Sequence, residues 1–286
     1  DGEVWARNQE ILMQSGEWEK SQERKRTLGD LMKTYLEKVT PSKRSPEPEQ
    51  RRLRRLLREK KLMETPLSEA GPPLFATYRD KRTLDGVRAC QYDLVLFRHA
   101  WNIALIEWGW SMSENPLAKI RFPKNNPPRE RRLRDGEFEK LRIAAEETKV
   151  NYLWPIINIA IETAMRRGEI LGLRWDHIDE RRQSAYLPIT KNGRSRHVPL
   201  NTTSIEFIRK IPRDADKLFP ISDTACRQAW DRLRKRAGIL DLTFHDLRHE
   251  AVSRMFEKGI NMARIMAISG HRTPNQMFRY VQVDRF

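Results

Sequence analysis

The chain has 286 residues, with 55 Lys+Arg against 39 Asp+Glu for a net charge of +16, and 38% apolar residues. The cation excess points to a polyanionic partner and the apolar share is enough for real cores, while no run approaches the roughly 18 apolar residues of a membrane span and no signal peptide opens the chain. A soluble intracellular protein of two domains is expected, because one core becomes unusual toward about 250–300 residues. Cys90 and Cys226 lie far apart with no Cys or His at metal-ligand spacing around them, so no disulfide framework, metal or cofactor is expected. The charge is spread, with 25 basic against 19 acidic residues up to Glu130 and 30 against 20 after it. Both halves are therefore expected to touch the same polyanion. A basic protein with no nucleic-acid role is the alternative that composition alone leaves open.

Val4, Ile11, Leu12 and Trp18 recur at helical intervals and predict a short opening helix, ended by Gly16. The first residue is Asp1, not Met, which predicts that the sequence begins inside a longer product. From a Thr27 N-cap, Leu28, Leu31, Met32, Tyr35 and Leu36 predict a second helix ending before Pro41. Pro41 to Pro48 reads as a loop. Glu49 to Met63 reads as one helix, with Leu53, Leu56 and Leu57 on one face and Arg51, Arg52, Arg55 and other cations around the rest. A solvated face and a phosphate-contacting face are equally open for those arginines. After Gly71-Pro72-Pro73, helices are expected over Phe75 to Lys81 and Ala89 to Trp110, the second with a stripe of Leu94, Phe97, Trp101, Ala104, Leu105 and Trp108 that suits helix packing.

Phe122 to Arg134 holds three prolines, Lys124 and the run Arg129, Arg131, Arg132, Arg134, and predicts an extended linker able to lie along a phosphate backbone. Helices follow over Asp135 to Thr148 and Leu153 to Ala164. Then Ala185 to Ile189 and His197 to Leu200 read as strands around an Asn192-Gly193 hairpin. Helical patterns return at Thr203 to Lys210, Thr224 to Ala237, His245 to Lys258 and Met262 to Ser269. The expected fold class is mainly α with a small antiparallel β-sheet.

Four segments carry the chemistry: Thr163 to Trp175 around Arg166-Arg167-Gly168-Glu169; Thr190 to Leu200 with Lys191, Arg194 and Arg196; Phe244-His245-Asp246-Leu247-Arg248-His249; and Gly270-His271-Arg272, with Tyr280 nine residues after His271. In order and spacing they resemble the catalytic domain of the tyrosine recombinases, the phage integrase family, over roughly the last 150 residues. The first domain resembles that family's helical core-binding domain only loosely. The resemblance divides the chain into 1–25, a connector from a missing arm-binding domain; 26–121, an all-α, SAM-like core-binding domain; 122–134, the basic linker; and 135–286, a mixed α+β catalytic domain. Ala164 stands where the family commonly has Gly, and only Val281 to Phe286 follow Tyr280, a shorter tail than relatives often use to dock on a neighbouring subunit.

A metal-free attack on a phosphodiester needs fixed cationic donors on the non-bridging oxygens, and a guanidinium supplies a planar fork that keeps its proton. Arg166 and Arg248 are the expected clamps, and His245, three residues before Arg248, shares its helix face. The family pattern makes Tyr280 the nucleophile, forming a 3′-phosphotyrosyl link and freeing a 5′-hydroxyl. It makes Lys191 the proton donor to the leaving oxygen, His245 the proton acceptor from Tyr280 or a phosphate donor, His271 a donor to a non-bridging oxygen, and Glu169 a buttress for the arginines. Arg194 reads as a phosphate contact, and His249, His99, His177, His197, Tyr152 and Tyr186 read as structural.

The resemblance implies a bacterial or phage-encoded, nucleoid-associated cytoplasmic enzyme that integrates or excises a mobile element. It further implies double-stranded DNA as partner, four subunits around two duplexes, a monomer or weak association off DNA, and accessory DNA-bending or directionality proteins. A catalytically silent DNA-binding regulator and, with less support from the segment spacing, a type IB topoisomerase stay open as alternatives.

Overall fold

The computed structural model describes residues 26–127, 129–188 and 195–280, and the chain divides after Pro127 into two units. The opening helix expected before Gly16, Lys191 and Arg194 lie outside the described residues.

In the first unit, α1 (Leu28–Lys38) starts at Thr27, whose hydroxyl accepts from the Asp30 N–H while the Asp30 carboxylate accepts from the Thr27 N–H. That reciprocal cap satisfies two otherwise orphaned donors. The helix expected over Glu49 to Met63 is instead two, α2 (Glu47–Leu56) and α3 (Lys60–Met63). Continuing the Leu53 and Leu56 face would carry Lys60 inward; the break at 57–59 leaves Lys60 exposed and buries both Leu62 and Met63. The loop expected up to Pro48 ends earlier, because Pro46 and Pro48 fall at the cap and first turn of α2, where a missing N–H costs nothing. α4 (Pro72–Thr83) and α5 (Val87–Ile106) complete the unit. Phe75, Phe97 and Trp101 are fully buried between them, with ring centroids 5.3 Å (Phe75–Phe97) and 6.4 Å (Phe75–Trp101) apart.

One polar cluster sits in this apolar packing. Asp93 of α5 is completely buried and accepts from Arg55 (2.5 Å), Arg82 (2.8 Å), Tyr78 (2.9 Å) and Arg52 (3.4 Å). Burial and the adjacent carboxylate push the Tyr78 phenol well up, so it stays a donor. Asp93→Asn removes the buried anion that three guanidinium groups share, leaving Arg55 only Glu59 and Arg82 only Asp85 as carboxylate partners. It is expected to destabilise the protein by about 3 kcal/mol, read as a lower denaturant midpoint.

The second unit is built on α7 (Leu153–Thr163), whose Leu153, Ile156, Ile157, Ile159, Ala160 and Ile161 are all buried. Buried on nearly every side, it is the central helix. Around it lie α6 (Glu137–Glu146), α8 (Arg167–Leu171), α9 (Thr202–Arg209), α10 (Asp223–Arg236) and α11 (Asp246–Glu257). A three-stranded antiparallel sheet runs in the order β1 (Ile178–Asp179), β2 (Ser184–Leu187), β3 (Arg196–Pro199), with Ala185 opposite Ile178 and Val198. β1 was not foreseen: two residues are too few to show alternation. α12 (Met262–Ser269) packs against β3 and α11.

Candidate active site

Each catalytic candidate among the described residues sits at an element's end. α7 stops at Ala164, which adopts φ +55° and donates its N–H to the Ala160 carbonyl. A left-handed turn with a side chain costs about 1–2 kcal/mol. It reverses the chain so that Arg166 opens α8. Replacing Ala164 by Gly relieves that strain but removes a buried methyl, worth about 0.8 kcal/mol, and frees the unfolded chain. Stability should therefore stay within about 1 kcal/mol of the parent, whereas Ala164→Val, β-branched at positive φ in a packed site, should lose more than about 2 kcal/mol. Urea unfolding of the two variants checks both values.

Arg166 is held by Glu169. The Glu169 carboxylate accepts the Arg166 backbone N–H at 2.8 Å and its guanidinium at 3.0 Å. Burial pushes the Glu169 carboxyl up, but the hydrogen bonds from Arg196 and from the Arg166 N–H outweigh it and hold the group below its ordinary range. Glu169 is therefore an anion that orients arginines and has no proton to give near neutrality.

Arg248 lies on α11, 3% exposed, and donates to the Ala164 carbonyl at 2.5 Å. Its second terminal nitrogen approaches the His271 ring at 3.3 Å. Burial first, and then the neighbouring Arg166 charge, push the Arg248 guanidinium down to about 10. It stays charged at neutral pH, yet cations compressed in this way gain from an incoming anion. Met165, Arg166, Arg167, Phe244, His245 and Arg248 line a cleft of about 200 Å³. That is room for a phosphate group between the two arginines and His245, which is exposed.

His271 follows Gly270, whose φ of +72° closes α12. The Ser269 hydroxyl lies 2.7 Å from the His271 Nδ1. Tyr280 ends a short 3-10 turn, Phe278–Tyr280, beside α11 and is 7% exposed. Its ring centroid is 5.3 Å from that of His249 and 6.0 Å from that of His271. His249, read from sequence as structural, thus stands against Tyr280, while its other neighbour is His245 at 5.3 Å. The periodicity of α11 held the signal, since His249 is four residues beyond His245.

The structure brings Arg166, Glu169, His245, Arg248, His271 and Tyr280 together in one unit. The residues expected along a phosphate backbone either make ion pairs within their own unit or stand exposed. Arg129 pairs with Asp246 at 3.0 Å, Arg131 with Glu137 at 2.6 Å and Asp241 at 3.0 Å, and Arg132 with Glu250 at 3.1 Å and with Glu257 at 2.5 Å. The arginine run is not a free cationic strand: 129–134 is strapped to carboxylates of its own unit, with Arg131 only 9% exposed. Of the first-unit candidates, Arg52 and Arg55 are drawn to Asp93, while Arg51 and Lys124 are exposed.

A family model described as "Phage integrase family" matches residues 131–285. The shufflon-specific DNA recombinase of Escherichia coli is 41% identical over 219 residues, which are 73% of this chain and 56% of that protein. A Haemophilus influenzae protein named as an integrase/recombinase is 33% identical over 95% of this chain and 76% of its own length. Among solved structures, a lambda integrase dimer bound to a COC′ core site matches with a TM-score of 0.77 at 20% identity, covering 91% of this chain and 79% of that one. The Tn1549 transposon integrase in complex with circular intermediate DNA gives 0.73 at 17% identity, covering 91% and 97%. At such identities the likeness is one of fold. The family match over more than half of the chain, together with relatives aligned along most of it, establishes that the chain belongs to the phage integrase family, the tyrosine recombinases.

Proposed function

We propose that this chain is a site-specific DNA recombinase that cleaves and rejoins duplex DNA through a 3′-phosphotyrosyl intermediate, serving integration or excision of a mobile element. The observation that carries the reading is the cleft between Arg166, His245 and Arg248, with His271 and Tyr280 held against the same helix. Two guanidinium forks with His245 and His271 stabilise charge on the non-bridging oxygens as the Tyr280 oxygen attacks phosphorus. His245 takes the phenol proton as the oxygen attacks, and His249, whose ring packs against both, holds the two side chains in place. Lys191 protonates the departing 5′-oxygen. The phosphotyrosyl bond conserves the energy of the broken one, so a second strand rejoins by attacking it. Four subunits around two duplexes are the proposed assembly, supported by the likeness to a lambda integrase tetramer bound to a Holliday junction.

The test uses duplexes that the protein itself selects from a random-sequence pool, nicked beside the selected site so that the cleaved fragment diffuses away. A covalent protein–DNA adduct resistant to denaturant, mapped by mass spectrometry to the peptide carrying Tyr280, is the expected product. Tight binding with no adduct would instead mark a silent DNA-binding relative. Affinity for the selected duplex should fall by about 10³-fold or more between 50 and 200 mM salt, as phosphate contacts release counterions. A flat titration would count against a backbone clamp.

A further inference from the structure

Arg196 lies in the second of the four sequence segments but has no role assigned from sequence, yet it joins three parts of the site. It opens β3, and its side chain is only 11% exposed. Its two terminal nitrogens donate to the two oxygens of Glu169, at 3.1 and 2.8 Å. Its Nε donates to the Ile268 carbonyl at 2.9 Å, and Nη2 donates to the Ser269 carbonyl at 3.4 Å. The guanidinium lies flat on the next residue: a Cβ added to Gly270 would fall 3.0 Å from its Cζ and Nη1. Glu169 in turn accepts four donors, two from Arg166 and two from Arg196, so neither oxygen is left to choose another partner.

We infer that Arg196 is a positioning residue for strand cleavage, fixing the Arg166 turn, the Ser269–His271 turn and the start of β3 in one register. Because it rests on the recombinase reading, its role is to hold the groups that meet the phosphate without meeting it itself. Through Glu169 it sets where the Arg166 fork points. Through the carbonyls of Ile268 and Ser269 it pins the end of α12, from which the Ser269 hydroxyl orients the His271 ring. Only a planar fork makes all four bonds at once; an ammonium keeps the charge and loses the geometry. Misplacement of such groups by about 1 Å costs on the order of 100-fold in rate.

The test measures three quantities on the self-selected nicked duplex: thermal stability, equilibrium DNA affinity and the single-turnover rate of adduct formation, the last well below each variant's melting temperature. Arg196→Lys should keep affinity within about threefold, since the phosphate contacts are made by other residues and the net charge is retained, and lose about 100-fold in adduct rate. Arg196→Gln, which keeps an amide donor, serves where the lysine variant does not fold, with the same expected split between affinity and rate. Combined with Glu169→Gln, either change should lose little more than the worse single variant, because both break one unit. A parental adduct rate in Arg196→Lys or Arg196→Gln, affinity and rate falling together, or full additivity with Glu169→Gln would overturn the inference while leaving the recombinase reading intact. If the parent protein forms no adduct, that reading fails, and this one with it.

Discussion

Tyr280→Phe is expected to bind the self-selected duplex as tightly as the parent and to form no covalent adduct on it. The change removes one oxygen from a ring that is 7% exposed and packed beside His249 and His271. Those ring contacts do not depend on the hydroxyl, so the turn Phe278–Tyr280 should keep its place. What disappears is the attacking atom. Adduct formation should fall below detection, since the phenylalanine ring carries no nucleophilic atom. Electrophoresis under denaturing conditions beside a binding titration separates the two effects. A phenylalanine variant that still forms the adduct would remove Tyr280 from the chemistry.

Arg248→Lys should lose about 10³-fold in adduct rate with a small change in affinity. Arg248 donates to the Ala164 carbonyl with one nitrogen and approaches His271 with the other, so its fork is fixed before DNA arrives. A lysine in the same buried place offers one compact charge and cannot hold both contacts. It is also more easily discharged: the surroundings that bring the guanidinium down to about 10 would push an ammonium, which starts lower, toward neutrality. The sign follows directly. An amine whose pKa is depressed loses its charge as pH rises, so the variant should weaken further from pH 7 to pH 9 relative to the parent. A rate profile over that range checks it. Equal losses in affinity and rate would mean that Arg248 only binds.

Much of this fold could be read in the residues, for identifiable reasons. α12 falls on Met262–Ser269 as its periodicity requires, and Thr27 caps α1, because both signals are local. The break between α2 and α3 was not legible, since burying both Leu62 and Met63 depends on a core assembled from the rest of the unit. The arginines at 129–134 looked like a cationic strand because, Glu137 apart, their partners, Asp241, Asp246, Glu250 and Glu257, lie more than a hundred residues away. Arg196 was nearer to being readable. Strand alternation puts it on the same face as the buried Val198 and Leu200, and an arginine on an inward face needs a carboxylate. Nothing local names Glu169 as that carboxylate, 27 residues earlier in the chain.

The strap at 129–134 carries a mechanical meaning. Its arginines grip Asp246 and Glu250, residues flanking Arg248 on α11, and the Leu133 N–H adds a further bond to Glu250 at 3.1 Å. Loosening that strap is therefore expected to slacken the first turns of α11, and with them the seat of Arg248.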